Sequence, residues 1–157
     1  MTKKTEFDQI AAHKYFSANC FNKAWDLIDK EDRTSEEDED MIRLSLASHY
    51  HWTQRPDYSS TKAAIGYWQT ARIYAILNQT EDAVRYGHLC LAVSQNEGVP
   101  PFYLGFAYEA LARAAAVAGN EQEMNDYLNQ ARATAEMVNE ADDRKMLLDD
   151  LETIQIR

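Results

Sequence analysis

The sequence predicts an all-α fold, and three observations carry that expectation. Apolar or small residues recur three and four apart through most of the chain, the spacing that lines up one face of a helix. Proline and glycine number only 3 and 5 among 157 residues, too few for the many tight turns of a sheet protein. Residues that cap or break helices fall between the periodic segments and divide the chain into about seven of them.

The first helix is expected over about 7–30, with an apolar stripe of Phe7, Ala11, Ala18, Phe21, Trp25 and Ile28. Ser35 then stands where an N-cap is needed, and Glu36, Glu37 and Asp38 follow it in the first turn, where the helix dipole favours negative charge. That position accounts for the acidic run at 36–40 without a bound cation. The second helix continues to about Gln54, because Pro56 disfavours helical geometry at Arg55 and Ser59 or Ser60 is available to cap the next.

Helix three covers TKAAIGYWQTARIYAIL, and the short turn NQT leads into helix four, with Thr80 as its cap. The stretch NEGVPP ends helix four at Gly98 and opens helix five with proline in the first turn, where a missing amide costs little. Gly119-Asn120 turns helix five into helix six, and an end helix follows over about 142–154. Connections this short force neighbouring helices antiparallel, as hairpins.

A chain of 157 residues fits a single domain spanning 1–157, and at this size folding buries about 68–70% of the unfolded surface. Lys and Arg number 16 against 26 Asp and Glu, for a net charge of −10. A surface of that sign repels phosphate backbones and anionic lipid, so neither nucleic acid nor membrane is expected as a partner. The acids are spread over 36–40, 142–143 and 149–150 and read as solubility. Cys20 and Cys90 lack metal-type spacing, no apolar stretch follows the first lysines, and no window suits a transmembrane helix. A cytoplasmic chain with reduced thiols is expected.

Shifting the sequence by 41 residues lays helices three and four on five and six without a gap. Tyr67 meets Tyr108, Ala71 meets Ala112, Arg72 meets Arg113, Ala75 meets Ala116, Tyr86 meets Tyr127 and Ala92 meets Ala133. The pattern Tyr67, Ala71, Tyr74, Ala83 and Cys90, repeated as Tyr108, Leu111, Ala112, Ala115, Leu128 and Ala131, resembles the tetratricopeptide repeat. Two degenerate copies at about 61–97 and 102–138 follow, with end helices at about 7–30 and 142–154. Thr70 and Gly87 depart from the pattern, and the connection NEGVPPFY stretches the period beyond the usual length of about 34 residues. More broadly, NKAWDLID, YHW, GYWQTARIYAIL, FAYEALARA and DDRKMLLDDLETI resemble a family of small bacterial repeat-like helical proteins without an assigned activity. The resemblance implies an α-solenoid that scaffolds or binds protein or peptide.

No nucleophile elbow, metalloprotease motif, phosphate loop or dinucleotide fingerprint is present, so neither catalysis nor a cofactor is expected. His49 and His51 point about 200° apart on a regular helix and cannot share a metal ion. His88 and Cys90 fail the same test, and His88, beside Val84 and Leu91, is expected as a hydrogen-bonded packing residue. His13, one turn before Ser17, is expected to make a structural hydrogen bond.

The informative charges are Arg72 and Arg113, at matched places on the first helices of the two copies. With Trp68 and Glu109 they are the candidate ligand groove, and His51 and Trp52 are candidate wall residues. An arginine fork suits a carboxylate, and a tryptophan supplies a face for stacking, so an acidic peptide or a C-terminal carboxylate is the expected partner. The competing reading is a structural bridge from Arg72 to Glu109, with Trp68 in the core. If the arginines bind ligand, Arg72→Ala and Arg113→Ala weaken capture and leave stability nearly unchanged. Two other functions compete: a homodimer through an apolar face of Leu147, Leu151 and Ile154, and a small-molecule site or enzyme pocket between helices one to three using His13, His49 or His51.

Overall fold

The computed structural model describes residues 7–156, which form seven α-helices and no strands. In chain order they are α1 (Gln9–Ile28), α2 (Ser35–Thr53), α3 (Ser60–Ile76), α4 (Thr80–Ser94), α5 (Pro101–Val117), α6 (Glu121–Ala135) and α7 (Ala141–Leu151). They belong to two compact units, Met1–Tyr58 and Ser59–Arg157.

The first unit is the antiparallel hairpin of α1 and α2. Its interface is made of small and polar residues around one large apolar side chain: Ser17 and Ala24 from α1 are buried, with Met41, Ser45 and Ser48 from α2. Small side chains let the backbones approach, and the serine oxygens find partners there. Ser48 donates to the Ser17 carbonyl at 2.7 Å, and Arg55 Nη1 donates to the Ser17 hydroxyl at 3.0 Å. The expected stripe is only half right, because Phe7, Ala11 and Ala18 are exposed while Phe21, Trp25 and Ile28 are half-buried. The interface follows the serines, which a count of apolar residues passes over.

The N-cap of α2 is Thr34 and not Ser35. Thr34 accepts from the Glu37 amide while the Glu37 carboxylate accepts from the Thr34 amide, a reciprocal capping box. A glutamate must stand three residues after the cap, and only Thr34 meets that spacing. Arg33 closes the turn by donating to the Leu27 and Lys30 carbonyls at 3.1 and 2.6 Å, which satisfies acceptors left over at the end of α1.

In the second unit α3 packs on α4 and α5 on α6, α5 touches both α3 and α4, and α7 lies against α5 and α6. Each repeat helix begins and ends 41 residues from its counterpart: Ser60–Ile76 matches Pro101–Val117, and Thr80–Ser94 matches Glu121–Ala135. The turns match as well. Asn78 and Gly119 are both left-handed, with φ of 57° and 73°. After each helix the next two amides reach back to helix carbonyls, Asn78 to Ala75 and Gln79 to Tyr74, then Gly119 to Ala116 and Asn120 to Ala115. This is the paired bond pattern of a left-handed helix stop. The N-cap of α4 is Gln79, without a side-chain bond, where Thr80 had been expected; the counterpart Asn120 does cap, accepting from the Glu123 amide.

Tyr67 and Tyr86 lie 6.2 Å apart between ring centres, and the matched rings Tyr108 and Tyr127 lie 6.5 Å apart. Both departures from the repeat pattern have a packing cause. A Cβ on Gly87 would come within 2.8 Å of Leu111 Cδ2, so glycine lets α4 accept α5. Thr70 is buried and donates its hydroxyl to the Gly66 carbonyl at 3.1 Å.

Leu147, Leu151 and Ile154 are buried, so they do not form the exposed face on which a homodimer was expected. They join the core cluster that holds Phe106, Leu128 and Ala131. A Cβ on Gly105 would meet Leu147 Cδ2 at 2.4 Å, so α5 has glycine where α7 lands.

Candidate functional site

The second unit brings four of the candidate residues together: Trp68 and Arg72 on α3, and Glu109 and Arg113 on α5. Glu109 has no exposed surface, and a buried carboxylate is tolerated only when its oxygens are paired. Trp68 Nε1 donates to one oxygen at 2.8 Å. The other accepts from Arg72 Nη1 at 3.1 Å and from Arg113 Nε at 2.7 Å, with Arg113 Nη2 2.6 Å away. Arg113 is four residues along the same helix, so backbone periodicity alone brings it into reach.

A residue that the sequence reading assigned to solubility completes the group. Asp150 of α7 sits 3.6 Å from Arg72 and 3.9 Å from Arg113, with its side chain 25% exposed. Arg113 Nη2 also donates to the Asp150 carbonyl at 3.4 Å and to Thr153 Oγ1 at 3.0 Å. Two guanidiniums thus face two carboxylates, one fully buried and tightly held, the other shallower and more loosely held. Burial first, and then the negative charge of Glu109, raise the Asp150 carboxyl above its ordinary value against the opposing pull of the two arginines. Its signal in sequence was position, since Asp150 lies three residues after Leu147 and shares its side of the helix.

Trp68 packs in the core, as the competing reading expected, and adds a bond that the sequence did not indicate. Its ring stands edge-on to Phe106, 5.4 Å between centres, and packs against the core, while its N–H holds Glu109. The side chains of Arg72 and Arg113 remain 20% and 16% exposed. A cavity of about 210 Å³ opens beside Arg113, between Val117 and residues 153–156. With Glu109 buried beneath them, removing either guanidinium is expected to cost stability, the outcome that goes with the structural bridge from Arg72 to Glu109.

The candidate wall residues His51 and Trp52 lie in the first unit. Arg55 covers the Trp52 ring at 3.7 Å from its centre while forming a two-pronged bridge to Asp57. His51 Nδ1 lies 2.8 Å from His13 Nδ1, a pairing between two helices that reasoning along one helix could not find. His49 is separate from them, bonded through Nε2 to the Tyr58 hydroxyl at 2.8 Å, and burial lowers its pKa. His88 is exposed and is not the packing residue expected of it: Val84, one turn before it on the same face, is itself only half-buried, and the buried side of α4 is formed by Ala83, Gly87, Cys90 and Ser94.

Cys20 and Cys90 are free thiols. Burial pushes the Cys90 thiol up to about 12, which leaves it a packing group without nucleophilic character. No helix among the described residues is long and apolar enough to cross a membrane. No family model, curated protein or solved structure matches the chain. The fold class therefore rests on the helices themselves, and the functional reading rests on the site.

Proposed function

We propose that the chain is a non-enzymatic binding module of the tetratricopeptide-repeat-like kind, acting in the cytoplasm, and that it takes up an acidic peptide or a C-terminal carboxylate beside Arg72 and Arg113. The observation supporting this is the loosely held carboxylate. Matched arginines from two adjacent repeats converge on Glu109 at 2.6 to 3.1 Å, while Asp150 stands off at 3.6 and 3.9 Å. A ligand carboxylate replacing Asp150 would meet both guanidinium groups without unpairing Glu109, and the cavity beside Arg113 leaves room for the residue that carries it. The free thiols favour a reducing compartment.

The test is fluorescence anisotropy of a labelled acidic peptide titrated with the wild type and with Asp150→Asn. The variant removes the competing charge and leaves Glu109 paired, so it should bind at least about threefold more tightly, with the gain falling as salt rises. Equal affinity of the two proteins, or tighter binding by the wild type, would sink the reading and leave the two arginines as structural partners of Glu109.

A further inference from the structure

We propose that His13 and His51 form a two-histidine chelate for a divalent transition metal of square-planar preference, Cu(II) or Ni(II). The pair lies wholly within the first hairpin and shares no residue with the arginine site. The Ser48 hydroxyl donates to the Ser17 carbonyl at 2.7 Å and fixes the register of α2 on α1. His51 follows Ser48 by three residues and His13 precedes Ser17 by four, so the same helix faces bring both imidazoles to the next layer of the hairpin. Their Nδ1 atoms are 2.8 Å apart, with ring centres 5.0 Å apart.

That separation selects the metal. Two nitrogens each about 2.0 Å from an ion and at right angles to one another lie about 2.8 Å apart, whereas a tetrahedral ion holds them about 3.3 Å apart. A square-planar ion therefore matches the existing nitrogen separation once both rings turn so that their lone pairs, now aligned along the Nδ1–Nδ1 hydrogen bond, converge on the ion, while a tetrahedral zinc ion has also to spread the pair. Among the described residues no group of three or more His, Cys, Asp or Glu is placed to hold a metal, which disfavours a closed zinc site and leaves two positions of the ion to water. Uptake releases no proton overall. In the neutral pair one Nδ1 donates its hydrogen to the other; on chelation that hydrogen is relocated to Nε2 of the same ring, both Nδ1 lone pairs face the ion, and two of its waters leave. Both imidazoles are half-buried and the neighbouring Tyr50 ring is 58% exposed, so an ion reaches them from solvent.

The experiment titrates the intact chain with Cu(II), followed by calorimetry and electron paramagnetic resonance. One ion per chain is expected, with hyperfine splitting from two imidazole nitrogens. His13→Gln and His51→Gln should each weaken binding more than about tenfold, and His49→Gln, whose ring is engaged with Tyr58, should leave it unchanged. A second measurement needs no variant: in the wild type, Ni(II) should protect His13 and His51 from acylation by diethyl pyrocarbonate while exposed His88 still reacts. Absence of protection, a spectrum without two histidine nitrogens, or affinity retained when His13 and His51 are both replaced would overturn the assignment.

Discussion

The two repeat hairpins share their boundaries, their left-handed turns and their tyrosine pairs, yet they differ at the point where they meet. Trp68 of α3 and Glu109 of α5 occupy the same place in the repeat, 41 residues apart, and they bond to each other. Arg72 and Arg113 also share a place, and there the two copies have the same residue. The repeated frame brings two positive groups together from neighbouring helices; they share a buried anion because one copy has a carboxylate where the other has an indole that donates to it. The repeat supplies the scaffold, and divergence between the copies supplies the chemistry.

The largest effect that would break this comparison comes from treating the two matched positions alike. Glu109→Ala leaves two partly buried guanidiniums and the Trp68 N–H without their shared acceptor, and should lower stability by about 3–5 kcal/mol. Trp68→Phe keeps most of the packing and removes one donor, for about 1 kcal/mol. Urea unfolding with unchanged slope measures both. Equal losses at the two positions would mean that packing of α3 on α5, and not the carboxylate, organises the site.

Next in size is the landing place of α7. Gly105 corresponds to Ala64 in the first copy, where a Cβ is buried without conflict, but at Gly105 a Cβ would stand 2.4 Å from Leu147 Cδ2. Gly105→Ala should cost about 1–3 kcal/mol through overpacking. Gly87→Ala should cost less, because its nearest atom, Leu111 Cδ2, is 2.8 Å away. Thermal melts of the two variants test the order. A reversed order would place the tighter joint between α4 and α5.

Most of the fold was legible because its signals are local. Gly119, Pro101 and Ser59 act on their own backbone, and the 41-residue shift needs no knowledge of contacts. What escaped depends on partners. Leu147, Leu151 and Ile154 look like an exposed apolar stripe until α5 and α6 are set against them, and once that face is known to be covered, Asp150 beside it can no longer be a solvated acid. His13 and His51 lie 38 residues apart, so neither helix alone reports the pair. The structural bridge from Arg72 to Glu109 was read in the sequence, because a 41-residue shift places both on matched helices.

Smaller again is the contrast between the matched turns. Gly119→Ala forces a Cβ into left-handed backbone and should cost about 1–2 kcal/mol. Asn78 already has that conformation, with φ of 57°, and asparagine tolerates it better than most side chains. Asn78→Gly should therefore change stability by less than about 1 kcal/mol, since relief of strain is offset by the greater freedom of glycine in the unfolded chain. Melting temperatures that fall equally for both variants would show that the two turns are not equivalent.

The finest test concerns the second carboxylate and is read as a slope against pH. Asp150 has its pKa raised in the folded chain, chiefly by burial, so over the interval above its unfolded value of about 3.9 the native state holds a proton that the unfolded state gives up. Its contribution therefore favours folding at low pH and is lost as pH rises through the raised value. Asp150→Asn carries no such group, and titrations remote from the Glu109, Arg72 and Arg113 network are common to both proteins. The melting temperature of the wild type minus that of the variant should therefore decline as the pH rises above about 4. A difference that instead grows with pH would mean that Arg72 and Arg113 hold this carboxylate more strongly than burial opposes it. Asp150 would then be a full partner in the network, as Glu109 is, and an incoming acidic ligand would have to displace it at a cost.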